Sequence, residues 1–140
     1  MKHETLLLWT TLAVAGCASG PTTSPDERLK LYVDHSTPVE SFRTAKTEGR
    51  QVRWSAIGEK AVLVYDESNQ AHLLELPEPC SGLANARSIS LTNTSGTVTP
   101  GSDSVRIVGA SRAGSATSCR IGSARRVDMD AVKKAREQSK

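Results

Sequence analysis

Asp66, Ser68 and His72 are the side chains in this sequence whose types and spacing could support nucleophilic catalysis. A serine, a histidine and a carboxylate can act together as nucleophile, general base and orienting acid. However, Ser68 lacks the Gly-x-Ser-x-Gly motif that exposes a nucleophile at a sharp turn. His72 shares a predicted strand face with Leu74 and Leu76, which favours a histidine that is packed or at a strand edge. We therefore predict no catalytic residue and no enzymatic activity.

The amino-terminal residues have the order of an export signal. Lys2 supplies a short positive region, and residues 5–15 form an uncharged, mostly apolar run. Small side chains at Ala15 and Gly16 then stand directly before Cys17. The run is too short to cross a bilayer of about 30 Å as a helix of the mature protein. An export signal that is removed is therefore the better interpretation.

Leu12–Cys17 resembles the lipobox of bacterial lipoproteins, in which the peptidase cuts before a cysteine that already carries diacylglycerol. The resemblance implies that the peptidase recognises Val14, Ala15 and Gly16, and that Cys17 becomes the lipid-bearing first residue. Each buried methylene contributes about 0.8 kcal/mol to membrane binding, so three acyl chains on one residue form an essentially permanent anchor. The alternative is an ordinary secretory signal followed by an incidental cysteine.

The rest of the chain is long enough for one small domain. Removal of residues 1–16 from the 140-residue chain leaves 124 residues. Residues 17–24 are small and polar and predict a flexible tether, and residues 25–140 a single β-rich domain. In bacterial lipoproteins an Asp directly after the lipidated cysteine favours retention in the inner membrane. This chain has Ala18 at that position, which implies an outer-membrane location facing the periplasm. The membrane, reached through the lipid anchor, is thus the expected partner, and an unknown envelope protein a further one.

Charge and composition argue against other ligand classes. The formal net charge is +3, and acidic and basic residues are mixed along the chain. Nucleic-acid binding needs a concentrated basic face, so we expect none. We also expect no cofactor, no metal ion and no small-molecule substrate.

Cys80 and Cys119 remain once Cys17 is lipidated. An even pair in an exported protein favours a disulfide, because the periplasm is oxidising. The bridge would close a loop of about 40 residues, worth about 4 kcal/mol on the chain-entropy model. Two buried free thiols or a metal site are the alternatives, although His35 and His72 show no ligand spacing to either cysteine.

The periodicity of apolar residues predicts an α+β fold that is mainly β. Ser24 caps a helix that continues to about His35, and a second helix begins at Asp128. Short strands at roughly ten-residue spacing favour a small antiparallel sheet or barrel, flanked by the two helices. The predicted strands are residues 51–56, 61–65, 71–76, 88–92, 104–108 and 119–121, with a Gly/Ser/Ala-rich loop at 109–118.

The whole mature chain is similar to a family of short Gram-negative lipoproteins that is known only as a domain of unknown function. The matching segments are Pro38–Arg43, Trp54 with Ile57–Ala61, Ala71–Leu76 with Cys80, Cys119–Ile121 and Arg126–Asp128. The resemblance implies that the two matching cysteines pair and that the chain begins with a lipobox. The resemblance implies no activity, cofactor or catalytic residue.

These features predict a lipid-anchored envelope protein that is a structural or interaction module. The alternative is a binding or inhibitor module for an envelope protein or wall polymer, as in membrane-bound lysozyme inhibitors. Cys80–Leu83 is superficially similar to their Ser-Gly-x-x-Tyr loop, but Asn85 stands at the tyrosine position. A positive net charge also suits a basic lysozyme poorly.

Basic side chains near the carboxyl terminus form the remaining cluster. Asp128, Asp130 and Glu137 lie in the same stretch and reduce its local excess of charge. We therefore expect a solvated face rather than a binding site for anionic lipids. The basic residues are Arg125, Arg126, Lys133, Lys134, Arg136 and Lys140.

Overall fold

The computed structural model describes residues 23–44, 53–93, 95–108 and 117–140. This part of the chain contains two α-helices, ten short strands and one 3-10 helix. In chain order they are α1 (Pro25–Asp34), β1 (Ser36–Val39), β2 (Phe42–Arg43), β3 (Trp54–Ile57), β4 (Ala61–Tyr65), β5 (Ala71–Glu75), the 3-10 helix (Leu83–Asn85), β6 (Ser88–Leu91), β7 (Thr97–Val98), β8 (Ser104–Val108), β9 (Thr117–Arg120), β10 (Ser123–Val127) and α2 (Met129–Gln138).

The strands form three open antiparallel sheets. The largest has five strands in the order β1-β10-β5-β4-β3, and the others are β2-β7 and β6-β8-β9. Its inner strands β4 and β5 each have four of their five residues buried, and β4 is apolar along its whole length. Strands buried on both faces have this composition. The sheets remain open, so the predicted antiparallel sheet is confirmed and its barrel alternative is wrong.

The two helices cover one face of the five-stranded sheet. Tyr32 of α1 and Val132 of α2 pack there with Leu63 and Leu73 of the central strands. The Arg28 guanidinium donates a hydrogen bond of 3.0 Å to the carbonyl of Ala56, which fixes α1 to the edge strand β3. Helix α1 is the first element of the described chain and packs on this face of the sheet.

The two smaller sheets cover the opposite face. Val62 and Leu74 of the large sheet meet Val105 and Ile107 of β8, and Phe42 of β2 joins the same cluster. The domain therefore has three layers, with helices outside, the five-stranded sheet in the middle and the small sheets beyond it. Alternating side chains of the middle sheet supply both cores.

Most of the predicted elements are confirmed. Helix α1 begins and ends within a residue of the expected positions, α2 begins directly after Asp128, and β4, β5, β6 and β8 match four predicted strands. Strand β3 begins at Trp54, and residues 51–52 lie outside the described residues. Strand β9 begins at Thr117 rather than at residue 119, so the end of the loop expected at 109–118 was wrong. The remainder of that loop, residues 109–116, lies outside the described part.

Four strands were not predicted: β1, β2, β7 and β10. Two of them have only two residues, too few for a periodic pattern. Strand β10 reads Ser-Ala-Arg-Arg-Val, yet it lies between β1 and β5 in the large sheet. Its Arg125 donates from Nε to Ser36 Oγ over 2.7 Å, which gives the buried part of this charged side chain a polar partner.

Candidate functional site

His72 is the buried polar side chain of the domain that could carry chemistry. It lies in the central strand β5 between β4 and β10 and is 5% exposed. Its ring stacks on Phe42, with centroids 4.1 Å apart and an angle of 10° between the planes. The expectation of a packed histidine on the face of Leu74 is therefore confirmed. The stack also joins the small β2-β7 sheet to the large one.

Asp66 lies in the turn before β5, and both of its carboxylate oxygens make hydrogen bonds. Its Oδ1 accepts from the Ser68 backbone N–H at 2.9 Å, the Ser68 hydroxyl at 2.7 Å and the Gln70 N–H at 2.9 Å. Its Oδ2 lies 3.1 Å from His72 Nε2. A short side-chain acceptor that bonds the backbone two residues ahead is the usual way for Asp to stabilise a turn.

The order of these three side chains is wrong for a nucleophile. In a catalytic triad the histidine stands between the serine and the carboxylate and takes the serine proton. Here Asp66 stands between Ser68 and His72, so the serine hydroxyl donates to the carboxylate and not to the imidazole. The arrangement therefore stabilises a turn and a strand, and does not activate Ser68.

The protonation of the pair follows from the contacts. Burial raises the pKa of Asp66, but the hydrogen bonds from Ser68, His72 and Gln70 and the electrostatic attraction of the His72 ring outweigh burial, so the pKa of this carboxyl lies below its usual value. An ionised Asp66 requires a proton on His72 Nε2 for the 3.1 Å hydrogen bond. His72 Nδ1 is buried and has no hydrogen-bond partner among the residues that the structure describes. In a neutral ring it is then an unpaired acceptor, which is less costly than an unpaired N–H.

Cys80 and Cys119 form a disulfide with an S–S distance of 2.02 Å and a Cα–Cα distance of 5.9 Å. It joins the segment after β5 to β9 of the three-stranded sheet, so the predicted bridge is present and the free-thiol alternative is wrong. Cys80 is fully buried, and its N–H donates to the Glu59 carbonyl at 2.7 Å. Across the described ranges, no group of three or more His, Cys, Asp or Glu residues is placed to hold a metal ion.

The basic residues near the carboxyl terminus do not form one solvated cluster. The Arg136 guanidinium donates to the Tyr32 hydroxyl at 2.7 Å and joins α2 to α1, and Arg125 binds Ser36. Arg125 is half-buried and departs from the expected solvated face, whereas Arg126, Arg136 and Lys140 are exposed as expected. Lys133 and Lys134 are exposed, as expected.

Two further features of the surface lie outside the His72 site. A depression of about 730 Å³ lies between the end of α1 and the start of α2, lined by residues of both charges such as Asp34, Arg126 and Asp130. The segment similar to the lysozyme-inhibitor loop leads into the 3-10 helix, where Gly82 has a φ of 85° and Leu83 is fully buried.

The lipidation site and its recognition residues lie outside the described part of the chain. Cys17, Val14, Ala15 and Gly16 are all in the segment before residue 23. The signal peptide expected at 1–16, and most of the tether at 17–24, fall in the same segment. Within the described residues, no helix is both long enough and apolar enough to cross a bilayer.

Comparison with protein families gave one match, which covers residues 1–140. The chain belongs to DUF6491, a family of unknown function. This agrees with the resemblance to an uncharacterised family. No curated protein matched this DUF6491 chain, and no solved structure matched it either.

Phe42 is a member of the His72 site that sequence reasoning missed. It is 30 positions away in the chain and reaches His72 only because β2 folds onto the large sheet. Asp66 and Ser68 were considered together with His72, and the structure brings all three into one hydrogen-bonded group.

Proposed function

We propose that the protein is a lipid-anchored module of the bacterial cell envelope that acts by binding and not by catalysis. The observation that carries this proposal is the Leu12–Cys17 segment, with its apolar run before it and its small polar residues after it. A cysteine at the end of such a run is the acceptor that a diacylglyceryl anchor needs.

The start of the folded domain supports an anchor close to the membrane. The Ser24 hydroxyl accepts from the Glu27 N–H at 3.2 Å, and the Glu27 carboxylate accepts from the Ser24 N–H at 3.0 Å. This capping box begins α1 at Pro25. Residues 17–24 can span at most about 29 Å when extended, so the proposed tether would keep the domain near the lipid surface.

The disulfide and the His72 site support the rest of the proposal. Structural disulfides persist in oxidising compartments and are rare in the cytosol, so Cys80–Cys119 suits an exported protein. The Ser68–Asp66–His72 arrangement has the wrong order for a nucleophile and so offers no catalytic alternative.

Fractionation of cells fed an alkyne-labelled fatty acid tests the proposal. We expect the wild-type protein to carry the label, to stay with membranes in high salt and at alkaline pH, and to be released by detergent. Cys17→Ser should lose the label and migrate as the uncleaved precursor, whereas a Cys119→Ser control should keep both label and location. A Cys17→Ser protein that is processed and retained like wild type would contradict the proposal. Density-gradient separation of the two membranes tests the outer-membrane assignment.

A further inference from the structure

The outer face of the β6-β8-β9 sheet carries two arginines among serine hydroxyls. Strand register places Ser90 and Ser118 on either side of Arg106, and Ser104 beside Arg120. These five residues are called the arginine–serine face. Their neighbours along the strands, including Ile89, Val105 and Ile107, point the other way into the core. The alternation that builds this core therefore also brings the two arginines to the same outer surface.

The arginine–serine face is exposed and has no acidic residue of its own. Arg106, Arg120, Ser90 and Ser118 are all exposed, and β6, β8 and β9 contain neither Asp nor Glu. The ion pairs found among the described residues are Lys30–Asp34, Lys60–Asp26 and His72–Asp66, so neither arginine takes part in them.

Two acidic residues lie near the edges of the face. Glu78 lines a depression of about 470 Å³ together with Arg120, without an ion pair between them. Asp103 stands just before β8, and its carboxylate accepts a hydrogen bond from the Thr99 N–H at 2.7 Å. The positive charge at the centre of the face is therefore not neutralised by either residue.

The spacing of the two arginines suits a ligand with more than one anionic group. Arg106 of β8 lies opposite Ser118 of β9, and Arg120 is two residues after Ser118 in β9. Such diagonal neighbours are about 7–8 Å apart, and each guanidinium can bind a carboxylate through two parallel hydrogen bonds. The serine hydroxyls between them both donate and accept hydrogen bonds, as hydroxyl and amide groups of a polymer require. Val108, 47% exposed at the end of β8, adds an apolar contact.

The position of the face in the layers indicates which envelope component it meets. Helix α1, which follows the proposed tether, covers one side of the five-stranded sheet, and β6-β8-β9 covers the other. Packed sheets are about 10 Å apart, so the arginine–serine face is separated from the helices by two layers of structure. It therefore faces away from the layer that carries the tether. This step rests on the proposed anchor.

We infer that the arginine–serine face binds the carboxylate-bearing glycan–peptide polymer of the cell wall. The polymer would lie across β6, β8 and β9, with two of its carboxylates on Arg106 and Arg120 and its hydroxyl and amide groups on the serines. Phosphate groups of a lipid surface have similar chemistry, but they would lie on the side of the tether.

Co-sedimentation of the protein, purified from cells in detergent in whatever form they produce it, with purified wall sacculi tests this inference. Arg106→Gln/Arg120→Gln should weaken binding about tenfold or more, because two charge-assisted contacts are lost. Lys133→Gln/Lys134→Gln removes the same charge from the opposite layer and should leave binding within about twofold of wild type. Arg106→Lys/Arg120→Lys keeps the charge without the bidentate geometry and should give an intermediate affinity. Thermal unfolding of each variant verifies that the fold is intact.

The ligand chemistry is tested in separate arms. Sacculi whose carboxylates have been converted to amides should no longer bind the wild-type protein, and vesicles with anionic phospholipids should not distinguish the arginine variant from wild type. Equal loss in the lysine control, undiminished binding by the arginine variant, or arginine-dependent binding to vesicles alone would each overturn the inference. Because the assay uses purified protein and sacculi, it is independent of whether Cys17 is lipidated, and the two proposals can fail separately.

Discussion

Asp66→Asn is the substitution that probes the His72 site most selectively. Asparagine has nearly the shape of aspartate, and its side-chain oxygen can keep the three hydrogen bonds that Asp66 Oδ1 accepts from Ser68 and Gln70. The new amide NH₂ replaces Oδ2 at 3.1 Å from His72 Nε2. Two donors would then face each other unless the histidine moves its proton to Nδ1.

The size of the effect follows from what surrounds Nδ1. This atom is buried and has no partner among the described residues, so a proton placed there is an unsatisfied buried donor. Such a group costs about 1–3 kcal/mol. Because Nδ1 is already an unpaired acceptor in wild type, only part of this cost is new, and we expect Asp66→Asn to lower the free energy of unfolding at pH 7 by about 1–2 kcal/mol.

The pH dependence gives an independent check. The pKa of Asp66 is lowered in the folded protein, so its contribution to stability is complete above the unfolded value of about 4. That contribution is lost as the pH falls through the lower folded-state pKa. The difference between wild type and Asp66→Asn should accordingly shrink as the pH falls below about 4.

Urea unfolding with the disulfide intact measures both quantities. The matched background is His72→Phe, which keeps an aromatic ring on Phe42 and removes the polar atoms. In that background Asp66→Asn should cost at least about 1 kcal/mol less than in wild type, because no tautomer is forced. Nitrogen NMR should find the His72 proton on Nε2 in wild type and on Nδ1 in the variant. A cost below about 0.5 kcal/mol, or an equal cost in both backgrounds, would refute the reasoning.

Three further predictions concern stability. Replacing Cys80 and Cys119 together by Ala should lower the free energy of unfolding by about 4 kcal/mol, because the bridge closes a loop with a separation of 39 residues, and a loss under about 1 kcal/mol in chemical unfolding would contradict this. Val132→Ala should cost about 1–3 kcal/mol by opening a cavity under α2, against a near-zero cost for an exposed alanine substitution on the same helix. Gly58→Ala should cost more than 1 kcal/mol, since φ is 59° and the new Cβ would lie 3.0 Å from Pro25 Cβ; thermal unfolding that shows no change would exclude this contact.

Short-range sequence patterns predicted the elements that depend mainly on contacts between neighbouring residues in the chain. The start of α1 depends on residues that are neighbours in the chain, and the predicted cap at Ser24 is present. The apolar run of β4 is long enough to identify a buried strand without knowledge of its neighbours in the sheet. The cysteine count likewise led to the correct bridge.

Long-range pairing explains what the sequence could not predict. Strand β10 is held by hydrogen bonds to β1 and β5, which are about 50 to 90 residues away in the chain. Its two adjacent arginines interrupt the alternation of apolar and polar residues by which a strand is predicted. The Phe42–His72 stack depends on the same kind of distant contact. The arginine–serine face depends on the register of β8 with β9, which joins residues that are not neighbours in the chain.

Intact-mass measurement of the protein extracted from membranes tests the proposed anchor most directly. We predict the mass of residues 17–140 plus a diacylglyceryl group and one further acyl chain, all on the peptide that begins at Cys17. The Cys17→Ser variant should instead have the mass of the unmodified full chain. A wild-type protein that retains residues 1–16, or that begins elsewhere and carries no lipid, would contradict the account.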